Sequence, residues 1–265
     1  MSSLVLESRY RVRGYDCGYG GPFRPFSVVN FFQEAAGDSA TMLGIGMGNM
    51  FADGHTWMIS KIDIRVEALP KAGDEVVVRT WPAGTDTIFA MRCIEMVDAE
   101  GARLMGALYA YLIVDRESRH PLRPERILDP TMKADLPLPY PDLRPGLHEV
   151  AAFGEGGFAD SFGVVASPRH IDNNGHVNNA FTINWLCDAV PLSERGSGGI
   201  RRIKVDFNAE IRLGDLLQAK WKKLEGGACS QKAGADIPAA KKGSDYLSIL
   251  ERDGLIVGRS LTRWV

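Results

Sequence analysis

"ISKIDIRVEALPKAGDEVVV" (Ile59–Val78) and "IRRIKVDFNAEIRLGDLLQA" (Ile200–Ala219) belong to one chain, and their likeness decides its fold. In the first stretch Ile62, Ile64, Val66 and Ala68 alternate with Asp63, Arg65 and Glu67, the period of a half-buried strand. Ile203, Val205, Phe207 and Ala209 do the same in the second. A single shift of 141 positions lays Ala68, Gly73 and Asp74 on Ala209, Gly214 and Asp215, so a strand and the turn after it occur twice. Further out, "MVDAEGARLMGALYAYLIV" (Met96–Val114) and "ILERDGLIVGRSLTRWV" (Ile249–Val265) both read as strand, glycine-containing turn, strand.

A helical pattern precedes each copy. In "RPFSVVNFFQEAAGDSATMLG" (Arg24–Gly44), Val28, Phe32, Ala35, Ala36 and Leu43 fall near one face. In the second half Val177, Phe181 and Trp185 recur every four residues, and Asp172–Gly175 form the turn that feeds the helix. Each half is thus a helix followed by long antiparallel strands, an α+β layer in which one apolar helix lies across a curved sheet. Seven of the 14 prolines fall between Pro121 and Pro145. That composition predicts a semi-rigid linker over 121–150, between an N-terminal domain at 1–120 and a C-terminal domain at 151–265. The tract Glu225–Ser244, rich in small and charged residues, reads as a mobile hairpin insertion in the second sheet.

Composition narrows the function. A formal net charge of -2 over 265 residues gives no general attraction to nucleic acid or to an anionic membrane, and neither is expected as a partner. Four dispersed cysteines, Cys17, Cys93, Cys187 and Cys229, suggest neither a disulfide framework nor a thiolate metal site, which fits a reducing cytoplasm. The start of the chain has no basic-then-apolar leader, and the run Ala107–Val114 is too short to cross a bilayer, so a soluble, unprocessed, cytoplasmic chain is expected. "GIGMGN" (Gly44–Asn49) follows a helix rather than a strand and reads as a helix C-cap, not a nucleotide loop. "GDSA" (Gly37–Ala40) sits inside helical periodicity and lacks a nucleophile elbow. His170, Asp172 and His176 stand at positions that rarely converge on a metal, so neither metal nor cofactor is expected.

The turn "DNNGHVNN" (Asp172–Asn179) carries more polarity than a helix cap requires. Asn178 and Asn179, poor helix formers, follow a histidine at the expected helix start, which suggests a polar pocket. A helix N-terminus there would offer unpaired N–H groups to a carbonyl oxygen gaining negative charge.

The stretch "DNNGHVNNAFTINWL" (Asp172–Leu186) resembles the D-x-N-x-H-V-N-N pattern and aromatic-rich helix of the fatty acyl-[acyl-carrier-protein] thioesterases of plants and bacteria. "VDFNAEIRLGD" (Val205–Asp215) is similar to that family's strand bearing a catalytic glutamate, which places that role on Glu210. "FFQEAAGDSATMLGIG" (Phe31–Gly46) and "GHTWMISKIDIRV" (Gly54–Val66) look like its N-terminal helix and the strand after it. The resemblance implies a tandem double hotdog fold, with each half a long helix wrapped by an antiparallel sheet, and Asp172, Asn174, His176 and Glu210 in one site. The expected roles are water activation by His176 and Glu210 jointly, positioning of water or carbonyl by Asn174, and orientation by Asp172. Some members carry a cysteine after the glutamate; here Ile211 stands there, so direct attack by water is the simplest route. Leu69 occupies the position equivalent to Glu210 in the first half, which is expected to supply the acyl pocket, with Trp57, Met58, Phe32 and Met42 as candidate lining. The expected partner is acyl carrier protein, met by a basic rim drawn from Arg201, Arg202, Lys204, Lys220, Lys222 and Lys223, with a homodimer allowed for. The alternatives are an acyl-CoA thioesterase of the same fold, a non-catalytic protein that binds acyl thioesters, and a hotdog dehydratase.

Overall fold

The alternating stretches form strands whose extent is set by what pairs with them. A computed structural model describes residues 4–146, 156–224 and 243–265. The chain divides into two units, Met1–Phe23 with Asn30–Pro145, and Arg24–Val29 with Gly146–Val265.

The first unit holds β1 (Leu6–Arg11), most of α1 (Pro25–Met42), α2 (Met47–Ala52), β2 (His55–Val66), β3 (Glu75–Asp86), β4 (Phe89–Asp98), β5 (Arg103–Asp115) and the short β6 (Pro121–Leu122). Its sheet runs β1-β3-β4-β5-β2, with every pair antiparallel and β6 added on β5. Ile62, Ile64, Ile94, Met96 and Met105 are fully buried, as are Phe32 and Ala35 of α1. The helix ends where the glycine predicts: Gly44 takes φ 74°, and the N–H groups of Gly44 and Ile45 return to the carbonyls of Thr41 and Ala40. "GDSA" lies within α1.

The proline-rich stretch is not a free tether. Up to Pro145 it belongs to the first unit, while 147–150 lie outside the described residues. Ala134, Tyr140 and Leu143 join Trp81, Cys93 and Leu108 in a buried cluster, so the strap covers one face of the sheet. Arg103 donates to the Pro139 carbonyl at 2.6 Å, the Arg144 N–H donates to Asp63 at 2.8 Å, and the Arg65 guanidinium lies 4.5 Å from the Tyr140 ring centre. The close approach depends on Gly106, because a Cβ there would meet Pro139 Cβ at 2.5 Å and Tyr140 at 2.9 Å.

The second unit holds β7 (Ala159–Val165), α3 (Asn179–Asp188), β8 (Ile200–Phe207), β9 (Leu216–Leu224), β10 (Ser244–Arg252) and β11 (Leu255–Trp264). Its antiparallel sheet runs β8-β11-β10-β9-β7. α3 buries Ala180, Thr182, Ile183, Trp185, Leu186 and Cys187. It approaches β11 where Gly258 leaves room for Thr182 and Leu186. Phe26 packs on Phe181 with ring centres 4.7 Å apart. The tract read as a hairpin insertion lies outside the described residues except for Gly243 and Ser244; β9 and β10, on either side of it, pair directly.

The repeat extends to single hydrogen bonds. Glu67 and Ala68 N–H both point to the Leu104 carbonyl (2.9 and 3.1 Å), and Asn208 and Ala209 N–H both point to that of Val257 (2.9 and 3.1 Å). The Asp74 carboxylate accepts Lys71 N–H at 2.8 Å, and Asp215 accepts Arg212 N–H at 2.8 Å. Gly73 and Gly214 take φ 100° and 88°, a region that glycine enters without strain.

The strap makes a prediction. Gly106→Ala should overpack the contact with Pro139 and Tyr140 and cost about 1–3 kcal/mol. The expected readout is a fall of about 3–10 °C in melting temperature, and an unchanged melting temperature would show the strap to be loosely held.

Candidate active site

The site is built from two turns of the second unit. In the first, Asp172 N–H donates to the His176 carbonyl (2.9 Å), Gly175 N–H donates to the Asp172 carbonyl (3.0 Å), and Ile171 bridges Val177. Gly175, at φ 79°, lets the chain reverse. The Asp172 carboxylate accepts Asn174 N–H at 2.8 Å, an Asx turn that orients it within the loop. The second turn runs from the end of β8 at Phe207 to Asp215. Val177 N–H donates to the Ile211 carbonyl at 2.8 Å and joins the two. One residue back on each side, His176 Nε2 lies 2.9 Å from Glu210 Oε2, with about a quarter of each side chain exposed (27% and 25%) and thus open to water.

The structure therefore brings His176 and Glu210 together. Asp172 is tied to its own turn, and Asn174 is exposed at the tip. α3 starts later than expected, at Asn179. The cause is Asn178, which acts as N-cap and accepts Ala180 N–H at 2.8 Å on its side chain, while its own N–H goes to the His170 carbonyl. His176 lies ahead of the helix, in the extended segment that pairs with Ile171, and the cap uses an N–H group that sequence reasoning offered to an oxyanion.

Glu210 stands beyond the end of β8, and the expected rim cations Lys204 and Arg202 are buried. Of the other expected rim cations, Lys220 pairs with Glu251 (3.1 Å), Lys223 pairs with Glu194 (3.1 Å), and Lys222 donates to the Gly156 carbonyl (3.0 Å). The cations at the site are different ones. Arg212 Nη2 lies 3.3 Å from Glu210 Oε2, and Arg252 Nη1 donates to the Glu210 carbonyl at 3.1 Å and to the Asp215 carboxylate. Burial pushes the Asp215 carboxyl up, but hydrogen bonds from Arg212 N–H and the Arg252 guanidinium outweigh it and hold the group below its ordinary range.

His170 is structural. Its ring meets Phe181 and Trp185 edge-on, its Nδ1 accepts Ser167 N–H at 3.0 Å, and burial, with Arg169 beside it, lowers its pKa. Among the described residues no group of three or more His, Cys, Asp or Glu could hold a metal, and no helix is long and apolar enough to cross a membrane. Burial, with Asp188 nearby, pushes the Cys187 thiol far above its ordinary value. Of the proposed pocket residues, Phe32 and Trp57 join one aromatic row through Tyr109 and Tyr111, Met58 takes the opposite strand parity to Trp57, and Met42 is 43% exposed at the end of α1.

The first unit makes the same turn without the chemistry. A shift of 154 positions carries its backbone bonds onto those of the second: Gly18 N–H donates to the Pro22 carbonyl (2.7 Å), Gly21 N–H to that of Gly18 (3.0 Å), and Cys17 bridges Phe23. Gly18, Gly20 and Pro22 thus stand where Asp172, Asn174 and His176 do, and Leu69 stands where Glu210 does.

Two helix-on-antiparallel-sheet units with the same turn signature, one of them bearing a histidine–glutamate pair, define a tandem hotdog protein. Residues 3–133 match the model of the acyl-ACP (acyl carrier protein) thioesterase N-terminal domain, and residues 166–243 match that of its C-terminal domain. The chain belongs to the acyl-ACP thioesterase family.

Among curated relatives, the chloroplastic acyl-[acyl-carrier-protein] hydrolase FATB2 of Cuphea viscosissima is 27% identical over 82% of this chain and 54% of its own. Oleoyl-acyl carrier protein thioesterase 1 of Arabidopsis thaliana is 21% identical over 98% of this chain and 76% of its own. The chain spans about half the length of most of the curated relatives it matches (54% for several). The fold is shared with the 12:0-ACP thioesterase of Umbellularia californica (TM-score 0.79, 18% identity, 100% of this chain and 95% of that one). It is shared too with an acyl-ACP thioesterase of Bacteroides thetaiotaomicron (TM-score 0.76, 20% identity, 97% and 96%).

A buried thiol of raised pKa is a poor nucleophile. Cys187→Ala should accordingly leave any thioester turnover within about twofold of the parent rate, and a loss of several orders of magnitude would return the sulfur to the chemistry.

Proposed function

We propose that this chain releases fatty acid from acyl carrier protein by hydrolysing the thioester through direct attack of water. The observation that carries the reading is the contact between His176 and Glu210, 2.9 Å long, placed on turns that the first unit builds with Pro22 and Leu69 instead. Folding needs the turn but not those side chains. The pair is partly exposed, where an ion pair contributes about 0–1 kcal/mol, so stability gives little reason for it. Family membership and the relatives' names support acyl carrier protein as the carrier.

With Glu210 Oε2 accepting Nε2–H, the imidazole is left with Nδ1 as its acceptor, and the carboxylate fixes that tautomer and supports the charge as a proton arrives. Water adds to the thioester carbonyl carbon as its proton passes to the His176–Glu210 pair. The tetrahedral intermediate then collapses with cleavage of the C–S bond, and the proton moves to the departing sulfur, giving fatty acid and carrier thiol. Asn174, exposed at the tip of the same turn as His176, is assigned the positioning of water or carbonyl, and Asp172 accepts Asn174 N–H and so sets the loop that carries both. Ile211, 4% exposed, occupies the position where a thiol nucleophile would otherwise be available.

The test is thiol release from acyl carrier protein loaded with chains of different length, alongside the matching CoA esters. Faster release from the carrier protein supports the proposal, faster release from CoA assigns the other carrier, and binding without release makes the chain an acyl-thioester binder. Glu210→Gln and His176→Ala should each lower kcat by about 10²–10⁴-fold with the fold intact, and near-parental rates in both would remove the site assignment.

A further inference from the structure

Glu210 must be held against His176, yet nothing local in the sequence does so. It lies past the last residue of β8, in a turn that ends at Asp215, and its exposed neighbour Arg212 makes only a long contact of 3.3 Å with the carboxylate. Beside the Val177–Ile211 bond that joins the two turns, the carbonyl of Glu210 itself is held by a distant residue. Arg252, at the end of β10, uses one nitrogen, Nη1, to bridge the Glu210 carbonyl (3.1 Å) and the Asp215 carboxylate. Asp215 in turn accepts Arg212 N–H at 2.8 Å, so both ends of the turn are gathered on one guanidinium.

The first unit again serves as the comparison. In both hairpins the pairing slips at the same place: Met96 pairs with Met105 and Val97 with Arg103, while Leu250 pairs with Gly258 and Glu251 with Ile256. That register puts Arg252 level with Asp98. Asp98 bonds only its own hairpin, accepting Ala102 N–H at 2.7 Å and Glu100 N–H at 3.1 Å. Asp74, the equivalent of Asp215, accepts Lys71 N–H at 2.8 Å. The turn therefore closes without an arginine where Leu69 stands in place of Glu210, and the arginine accompanies the glutamate. Arg252 also lies outside residues 166–243, the stretch matched by the C-terminal family model.

We infer that Arg252 is a positioning residue for the reaction, fixing the main chain at Glu210 so that its carboxylate meets His176 Nε2. This rests on the hydrolase reading for its consequence in turnover, but not for its geometry, and the experiment separates the two. Arg252→Met, Arg252→Lys, Glu210→Gln and the double variant Glu210→Gln/Arg252→Met would be compared in the full chain. Thiol release would be followed alongside the His176 ring signals in two-dimensional 1H–15N spectra, with thermal melts to establish that each variant is folded.

Arg252→Met should move the His176 ring signals toward those of Glu210→Gln and lower kcat about 10- to 100-fold, with KM within about threefold. Arg252→Lys should fall between, since an ammonium can donate to both acceptors but sits on a shorter, more flexible stem than the planar guanidinium. In the Glu210→Gln background, Arg252→Met should change the residual rate by less than about twofold, because there is no carboxylate left to place. An equal loss in both backgrounds would make Arg252 a general structural support and overturn the inference. So would unmoved His176 signals in folded Arg252→Met or Arg252→Lys. If the parent protein releases no thiol from any ester, the hydrolase reading falls and the ring signals alone decide whether Arg252 positions Glu210.

Discussion

One backbone hydrogen bond, from Val177 N–H to the Ile211 carbonyl at 2.8 Å, governs the geometry of the site. It ties the turn that carries His176 to the turn that carries Glu210, and the side chains one residue back on each side then face each other at 2.9 Å. Among the described residues no corresponding bond links Phe23 and Pro70, the equivalent positions of the first unit. The bond that joins the two turns is therefore found in the unit that carries the histidine–glutamate contact.

Duplication separates what the fold requires from what the chemistry requires. Both units need a reversal before the helix and a tight turn after the strand, and both build them with the same N–H and carbonyl groups. Glycines at 73 and 214 satisfy the backbone in either unit, whichever residues stand beside them. The side chains of the two turns are then free to differ. Gly18, Gly20, Pro22 and Leu69 fill the first unit's positions with residues that hold no proton, and the second unit fills them with an acid, an amide, an imidazole and another acid. The shift of 154 at the reversal and 141 at the strand differ by 13 residues, and that excess belongs to the first unit's longer helical segment, α1 and α2 against α3.

The strands after each helix, the helices α1 and α3 and the repeat were legible in sequence because each rests on local periodicity, Ile62 and Ile64 against Asp63 and Arg65, or Phe32 against Ala35 and Ala36, whereas β1 and β7, ahead of the helices, were not read. The pairing of His176 with Glu210 was legible only through the family pattern. What was hidden depends on long-range contacts. The proline-rich stretch reads as a semi-rigid linker by composition, and composition did not show that Tyr140 and Leu143 bury themselves against β4 and β5; the sequence signal was Gly106, a glycine in the middle of a strand where another segment comes close. The helix boundary was misplaced because Asp172–Gly175 reads as the turn that feeds the helix, whereas α3 is capped three residues further on, where the Asn178 side chain accepts Ala180 N–H. Arg202 and Lys204 looked like a rim because charges on alternate strand positions usually face water, yet the sheet buries them. Arg252 had no local signal, since it acts across 42 residues on a main-chain carbonyl.

On the proposed reading, holding Glu210 by its main chain has a chemical advantage over holding it by its oxygens. An arginine paired bidentately with Glu210 would satisfy the lone pairs that must receive His176 N–H and would hold the carboxylate against protonation. Arg212 comes nearest to this, but it is 68% exposed, and an exposed pair of long side chains is weakly held and screened by salt. Arg252, 23% exposed, spends its hydrogen bonds on a carbonyl and on Asp215. Asp215 thus absorbs much of the arginine's charge, and Glu210 receives position from it while its carboxylate stays available to His176.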